Sequence, residues 1–187
     1  MKVNVIGIIG GILAFITLLL PWWIFTFSAE MMEFSVSAEV SVYLYQASAT
    51  AMGVSQTAPI DIWFGTVALI LIIIAGVLAI VGSVTRFGKQ LLSGGGVLAL
   101  ISIIIFAVGL QNELSKTAPV PDAPSEFPQI GLFSSGSFEV MGISYSYSSY
   151  LTYGFWLALI AAILMFIAIV KAPTQTSEVS VSGEPQS

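Results

Sequence analysis

Four long apolar stretches organise this chain of 187 residues. They cover residues 3–20, 62–84, 91–110 and 151–170, and none of them contains Asp, Glu, Lys, Arg or His. A helix rises about 1.5 Å per residue, so about 20 residues cross the roughly 30 Å hydrocarbon core of a bilayer. The pattern predicts an all-α membrane bundle of four transmembrane helices, within a single domain of residues 1–171.

The composition narrows the possible chemistry. Hydrophobic residues make up 57% of the chain and charged residues 8%, whereas a soluble domain is about 25% charged. The chain has no cysteine and no histidine, so it lacks disulfides, thiol nucleophiles and the commonest general base and metal ligand. Helices without charges also argue against proton relays and most transport mechanisms. We therefore expect no enzymatic activity, no cofactor and no metal site, and without a basic patch no nucleic-acid partner.

Two pairs of carboxylates lie between the apolar stretches. Glu30 with Glu33, and Asp122 with Glu126, have the spacing of paired acids. Enzymes use such pairs for acid–base work, and hard cations bind carboxylate oxygens. Neither pair has an aligned partner elsewhere in the chain, so we interpret both as solvated surface charges.

The few basic residues indicate the orientation. Lys2, Arg86, Lys89 and Lys171 fall at the N-terminus, in the short connection after the second stretch, and directly after the fourth stretch. Cytoplasmic segments of membrane proteins carry the excess of Lys and Arg. We therefore predict a multi-pass protein of the cell membrane with both termini cytoplasmic, and with residues 23–60 and 111–150 as external loops.

The first stretch has a second interpretation as a secretory signal peptide, because Lys2 precedes the apolar run. The run is longer than the usual apolar region of about 7–15 residues. Pro21, Trp22 and Trp23 stand where small residues would precede a cleavage site. Tryptophans at the end of a span are typical interfacial anchors. We predict a retained helix and keep cleavage as the alternative.

Residues 34–44 of the first external loop alternate strictly between apolar and polar side chains. This period of two, rich in β-branched and aromatic residues, predicts a strand with one apolar face, continuous or kinked near Ala38 and Glu39. Residues 25–28 are candidates for a further short strand. Residues 47–57 lack such a pattern, so we expect a loop or a short helical turn there.

The second external loop divides into two parts. Residues 116–129 contain four prolines, which favour an extended chain. Residues 130–149 alternate again, and their apolar phase changes across Met141 and Gly142, as in a bulge or a tight turn. An isolated hairpin is only marginally stable in water, so both loops are predicted to pair into one small extracellular antiparallel sheet on the bundle. The tail 172–187 is predicted to be a disordered cytoplasmic segment.

Small and hydroxylated residues mark the expected helix contacts. Five glycines are candidates for helix packing: Gly7, Gly11, Gly94, Gly95 and Gly96. Small side chains let helices approach closely, and we place these contacts within the chain's own bundle, with a homodimer face as the alternative. The hydroxyls of Ser93 and Ser102 are expected to bond back to their own helix, although they are also candidates for lining a channel.

The predicted architecture resembles the claudin-type tetraspan superfamily. The likeness rests on four spans, cytoplasmic termini, a short intracellular hairpin and a β-rich first external loop. Claudins carry a Trp, then Gly-Leu-Trp, then two disulfide-bonded cysteines in that loop. Either Trp22 or Trp23 is a candidate for the first tryptophan, but the Gly-Leu-Trp and the cysteines are absent. The resemblance therefore implies a scaffold, and it assigns no functional residues.

Two functional classes remain. The first is a non-catalytic membrane scaffold, adhesion protein or auxiliary subunit that acts through its external sheet. Its partners would be the lipid bilayer and other membrane or cell-surface proteins, including a second copy of the chain. Tyrosine offers a large contact area with a hydrogen-bonding tip, so we predict partner contacts at Tyr43, Tyr45, Tyr145 and Tyr147. The second class is an oligomeric pore or transport component.

Overall fold

The structure is a computed structural model that describes residues 3–31, 34–59, 62–116 and 130–171. Its elements are α1 (Val5–Ile16), a 3₁₀ turn (Thr17–Leu19), β1 (Trp23–Met31), β2 (Phe34–Val42), β3 (Gln46–Ala51), β4 (Val54–Pro59), α2 (Trp63–Val84), α3 (Gly88–Lys116), β5 (Ser134–Val140), β6 (Ile143–Leu151) and α4 (Tyr153–Lys171). The proline-rich residues 117–129 and the tail 172–187, with the structures predicted for them, lie outside the described residues, as do Lys2, Glu33, Asp122 and Glu126.

Three of these helices, α2, α3 and α4, are long and apolar enough to cross a membrane. The first predicted stretch forms a shorter apolar helix, Val5–Leu19 when its 3₁₀ turn is included. Asn4 caps this helix, because its side chain accepts a hydrogen bond from the Gly7 backbone N–H. The third stretch, residues 91–110, lies within a longer helix, because α3 runs from Gly88 to Lys116. The hydropathy pattern ends where the apolar side chains end, whereas the backbone hydrogen bonds of the helix continue through the polar residues that follow.

The helices form a closed arrangement in which α1 and α3 each pack against both α2 and α4. Asn4 ties the start of α1 to the ends of its two neighbours. Its backbone N–H donates to the Ser83 carbonyl of α2, and its side-chain amide donates to the Ala168 carbonyl of α4. Consecutive helices therefore run in opposite directions. The sheet lies at the end of the helices away from the short α2–α3 connection, residues 85–87.

Gly7 and Gly11 of α1 lie against α2. A Cβ at Gly11 would approach the Gly76 carbonyl oxygen to 2.9 Å, and a Cβ at Gly7 would overlap the Ser83 hydroxyl. Any larger side chain would push the two helices apart. In the structure these glycines therefore serve packing within the chain's own helices.

The glycine triplet of α3 is used unequally. A Cβ at Gly95 would lie 2.9 Å from the Ala75 carbonyl oxygen of α2, and one at Gly96 would lie 3.0 Å from the Phe166 ring of α4. At Gly94 the nearest atom is a leucine methyl 3.8 Å away. Gly95 and Gly96 therefore face neighbouring helices closely, and Gly94 does not.

The sheet has the strand order β4-β3-β2-β1-β6-β5, and all neighbouring strands are antiparallel. Four strands come from the segment between α1 and α2, and two come from the segment between α3 and α4. The two segments meet where β1 pairs with β6, with Phe27 opposite Tyr147. One antiparallel sheet built from both segments is therefore confirmed. The β1–β2 register runs unbroken through Ala38 and Glu39, without the kink considered there.

Residues 47–57 belong to the β3–β4 hairpin, so the expectation of a loop or helical turn is wrong. Met52 and Gly53 form its turn with positive φ values of 51° and 79°. Met141 and Gly142 form the β5–β6 turn in the same way, which confirms the tight turn predicted there. Two-residue turns with both φ values positive match the twist of paired strands. The alternation of Ala with Ser and Thr in β3 has little hydrophobic contrast, so pairing with β2 rather than local pattern orders it.

Trp22 and Trp23 are buried, so their interpretation as exposed interfacial anchors is wrong. Trp22 is fully buried, and its ring centroid lies 5.0 Å from that of Phe106 and 6.1 Å from that of Phe155. Its backbone N–H donates to the Val42 carbonyl at 2.8 Å. The chain passes here from helix to strand, and Trp22 fills the space between the helix ends and the base of the sheet.

Candidate interaction surface

The two faces of the sheet differ in chemistry, because side chains alternate along each strand. One face of the sheet carries most of the aromatic rings, and we call it the aromatic face. Its rings are those of Phe25, Phe27, Phe138, Tyr145 and Tyr147, with Trp23 at the base and Phe34 at the outer end. The register places them on one side, since Tyr147 pairs with Phe27 and Tyr145 pairs with Phe138. The opposite face carries mainly Ser, Thr and Glu side chains.

The rings of the aromatic face stack on one another. Tyr145 lies between Phe27 and Phe138, with centroid distances of 5.7 Å and 5.1 Å. Tyr147 covers Gly136, where a Cβ would lie 2.7 Å from the Tyr147 hydroxyl oxygen. Aromatic pairs contribute about 0.5–1.5 kcal/mol beyond their buried area. These contacts restrict the rings, so the surface is ordered before any partner binds.

Burial on this side of the sheet falls from the base to the outer end. At the base, Trp23, Val42 and Leu151 are at most 7% exposed and join the hydrophobic core. At the outer end, Val36 is 39% exposed and Phe34 is 76% exposed. Both share the alternation phase of the aromatic face. An exposed apolar patch on ordered strands is typical of an interaction site.

The four tyrosines predicted as partner contacts fall into two separate pairs. Tyr145 and Tyr147 belong to the aromatic face, on β6. Tyr43 and Tyr45 lie in the β2–β3 turn at the base of the sheet, with their ring centroids 6.3 Å apart. Tyr43 is five residues along the chain from Ala38, the partner of Phe27, which corresponds to about 16 Å along a strand. The structure therefore does not bring the four side chains together.

The hydroxyl face, opposite the aromatic face, was not identified from the sequence as a site. Its register aligns polar side chains in rows across the strands, such as Ser148–Thr26–Glu39–Thr50. The Thr26 and Ser148 hydroxyls lie 2.7 Å apart. A cleft of about 370 Å³ opens on this face. The alternating Ser and Glu residues of β2 and the alternating Ser residues of β6 are the sequence signal for this face, but by themselves they indicate only a water-facing side of a strand.

Polar groups among the described helices serve packing or lie at helix ends. Ser102 donates to the Ala68 carbonyl of α2 at 2.8 Å, so the expectation that it bonds back to its own helix is wrong. Close approach of α3 to α2 makes the neighbouring carbonyl the better-placed acceptor. Lys116 and Glu113 form an exposed pair at 2.8 Å at the end of α3. In the described ranges, no cluster of three or more His, Cys, Asp or Glu residues has metal-binding geometry.

The sequence was compared with protein-family models and with curated proteins. No protein-family model matches the sequence, and no curated protein matches it significantly.

Proposed function

We propose that this chain is an integral protein of the cell membrane whose four helices cross the bilayer. The supporting observation is the distribution of side-chain size on the helices. Most of their buried positions are alanines and glycines, whereas their outward positions carry many large β-branched residues. The outward residues include Ile9, Ile12, Ile70, Ile73, Val77, Ile101, Ile104, Ile160, Ile163 and Ile167. Small residues inside and large apolar residues outside suit helices that pack in lipid.

The ends of the helices support the proposed orientation. Exposed Trp63, Tyr153 and Trp156 lie near the sheet, at the starts of α2 and α4. Arg86 and Lys89 lie at the opposite end, in and beside the α2–α3 connection. The 22 residues of α2 span about 33 Å, which matches a bilayer core with aromatic residues at its boundary. The sheet is then external, and both termini are cytoplasmic.

The function we propose is that of a non-catalytic scaffold or auxiliary subunit, which binds another membrane or cell-surface protein through the aromatic face. The observation that carries it is the solvent-exposed outer end of that face, at Phe34 and Val36, above rings that are already stacked. When a protein partner covers these apolar groups, the free energy of binding becomes more favourable by about 25 cal/mol for each Å² of apolar surface removed from water. The claudin-type resemblance of the architecture stays a proposal of the same kind.

The test is capture of partners from native membranes with the tagged full-length chain. Phe34→Ser combined with Val36→Ser removes exposed apolar groups without opening the core, and we expect it to reduce partner recovery at least tenfold. Met141→Ser is the matched control, because Met141 is 97% exposed but lies at the β5–β6 turn. Equal recovery by both variants would refute the aromatic face as the contact. Ion flux from the purified wild-type chain in liposomes would instead support the pore alternative.

A further inference from the structure

The cleft on the hydroxyl face is lined by side chains that the register brings together from four strands. One row contributes Thr26, Ser148, Glu39 and Thr50. A second row, two residues further along each strand, contributes Ser28, Ser37 and Ser146. Neighbouring strands lie about 4.8 Å apart, and residues two positions apart on a strand are separated by about 6.7 Å. The cleft therefore presents a two-dimensional array of oxygen atoms at regular spacing.

These hydroxyls form hydrogen bonds with one another and still have hydrogen-bonding sites left for a ligand. Thr26 pairs with Ser148, and Ser28 pairs with Ser146, each at 2.7 Å. A hydroxyl has one donor and two acceptor sites. The Ser28–Ser146 pair uses one donor and one acceptor, and it leaves one O–H and three lone pairs for another molecule. In the Thr26–Ser148 pair the Thr26 hydroxyl also donates to the Ser148 carbonyl oxygen at 3.4 Å, so that pair offers three lone pairs and no O–H. A ligand that both donates and accepts at short intervals matches this pattern.

Glu39 adds one strong acceptor to the array. The Ser41 hydroxyl donates to Glu39 Oε1 at 3.1 Å, and Glu39 lines the cleft together with Thr26 and Thr50, its neighbours across the strands. Hydrogen bonds to a carboxylate are about twice as strong as those between neutral groups. Among the described residues that line the cleft none is cationic, and Glu39 is the one that carries a charge. Anionic ligands are therefore repelled, and a neutral molecule rich in hydroxyl groups is favoured.

We propose that this cleft binds a neutral saccharide, with Glu39 accepting from sugar hydroxyls and the Thr26–Ser148 and Ser28–Ser146 pairs completing the contacts. Its volume of about 370 Å³ lies within the range of small-molecule sites, about 300–1,000 Å³, and fits one or two sugar rings. This inference goes beyond the proposed scaffold function, because it uses the opposite face of the sheet.

The test uses the full-length chain in lipid nanodiscs, because many detergents themselves carry sugar headgroups. Immobilised neutral oligosaccharides of mannose, glucose, galactose and N-acetylglucosamine are compared with sialylated, sulfated and amine-bearing ones. We expect retention on at least one neutral class, and at least tenfold weaker retention for Glu39→Gln and for Thr26→Val. Both changes conserve side-chain shape. Ser135→Ala lies outside the cleft lining and should leave retention unchanged.

Three results would overturn the proposal: no retention on any neutral saccharide, stronger retention on the charged probes, or equal retention by wild type, Glu39→Gln and Thr26→Val. Circular dichroism of each variant establishes that the sheet is intact. Partner capture by the same variants separates this site from the aromatic face, since it should remain at the wild-type level.

Discussion

Tyr147 stands directly across the β5–β6 ladder from Gly136, and its ring occupies the space that a side chain at Gly136 would need. A glycine in a strand interior ordinarily weakens the strand. Here the cross-strand ring covers the exposed backbone, and the glycine in turn lets the ring lie flat on the sheet.

This pairing predicts a measurable coupling. Gly136→Ala should cost about 1 kcal/mol of unfolding free energy, because its Cβ displaces the Tyr147 ring. In a Tyr147→Ala background the same change should be nearly neutral or slightly stabilising. Unfolding of the four variants, followed by far-ultraviolet circular dichroism in micelles, measures the coupling. Equal costs in both backgrounds would contradict the contact.

The gradient of burial along β2 predicts that aspartate is tolerated at one end and not at the other. Val42 is 6% exposed, so Val42→Asp should cost about 2–4 kcal/mol by placing an unpaired charge in the core. Ser35→Asp, at an exposed position of the same strand opposite Glu30, adds only a solvent-screened like-charge pair and should cost less than about 1 kcal/mol. Ser41 is unsuitable as the control, because it is 8% exposed and donates to Glu39. Similar costs at positions 35 and 42 would mean that the sheet base does not pack on the helices.

Adjacent glycines of α3 should respond oppositely to the same substitution. Gly95→Ala pushes a methyl group against the Ala75 carbonyl oxygen and should destabilise the protein by about 1–3 kcal/mol. Gly94→Ala meets only a side chain at 3.8 Å, so the better helix propensity of alanine should stabilise by up to about 1 kcal/mol. Thermal unfolding in one detergent compares the pair directly. A reversed order would show that α3 is rotated relative to α2.

The proposed membrane orientation predicts selective labelling of single cysteines, since the native chain has none. Ser35→Cys on the sheet should react with a membrane-impermeant thiol reagent on intact cells. Gln90→Cys, exposed at the start of α3, should react only after the cells are lysed. Gly88 is a poor probe position, because its Cβ would meet the Gly82 backbone. The opposite labelling pattern would invert the topology.

Much of the architecture follows from local pattern. The uninterrupted apolar stretches predicted the ends of α2 and α4 to within two residues of those in the structure. The strict alternation of residues 34–44 predicted the position of strand β2. Both signals depend only on which side chains share a face of one element, and neighbouring residues alone decide that. The phase change at Met141 and Gly142 located one hairpin turn, yet the same Met-Gly dipeptide at positions 52 and 53 passed unrecognised.

What the sequence by itself determined is the apolar character of the helices and the two-faced chemistry of β2. Only the tertiary structure decided that Trp22 is buried, that Gly95 rather than Gly94 meets α2, and that Tyr43 lies far from Tyr147. It also decided that the hydroxyls of β1 and β6 stand in register around one cleft. The physical reason is that strand pairing and helix packing bring together residues more than a hundred positions apart in the chain, such as Thr26 and Ser148. The periodicity of a single segment contains no information about which distant segment it will pair with.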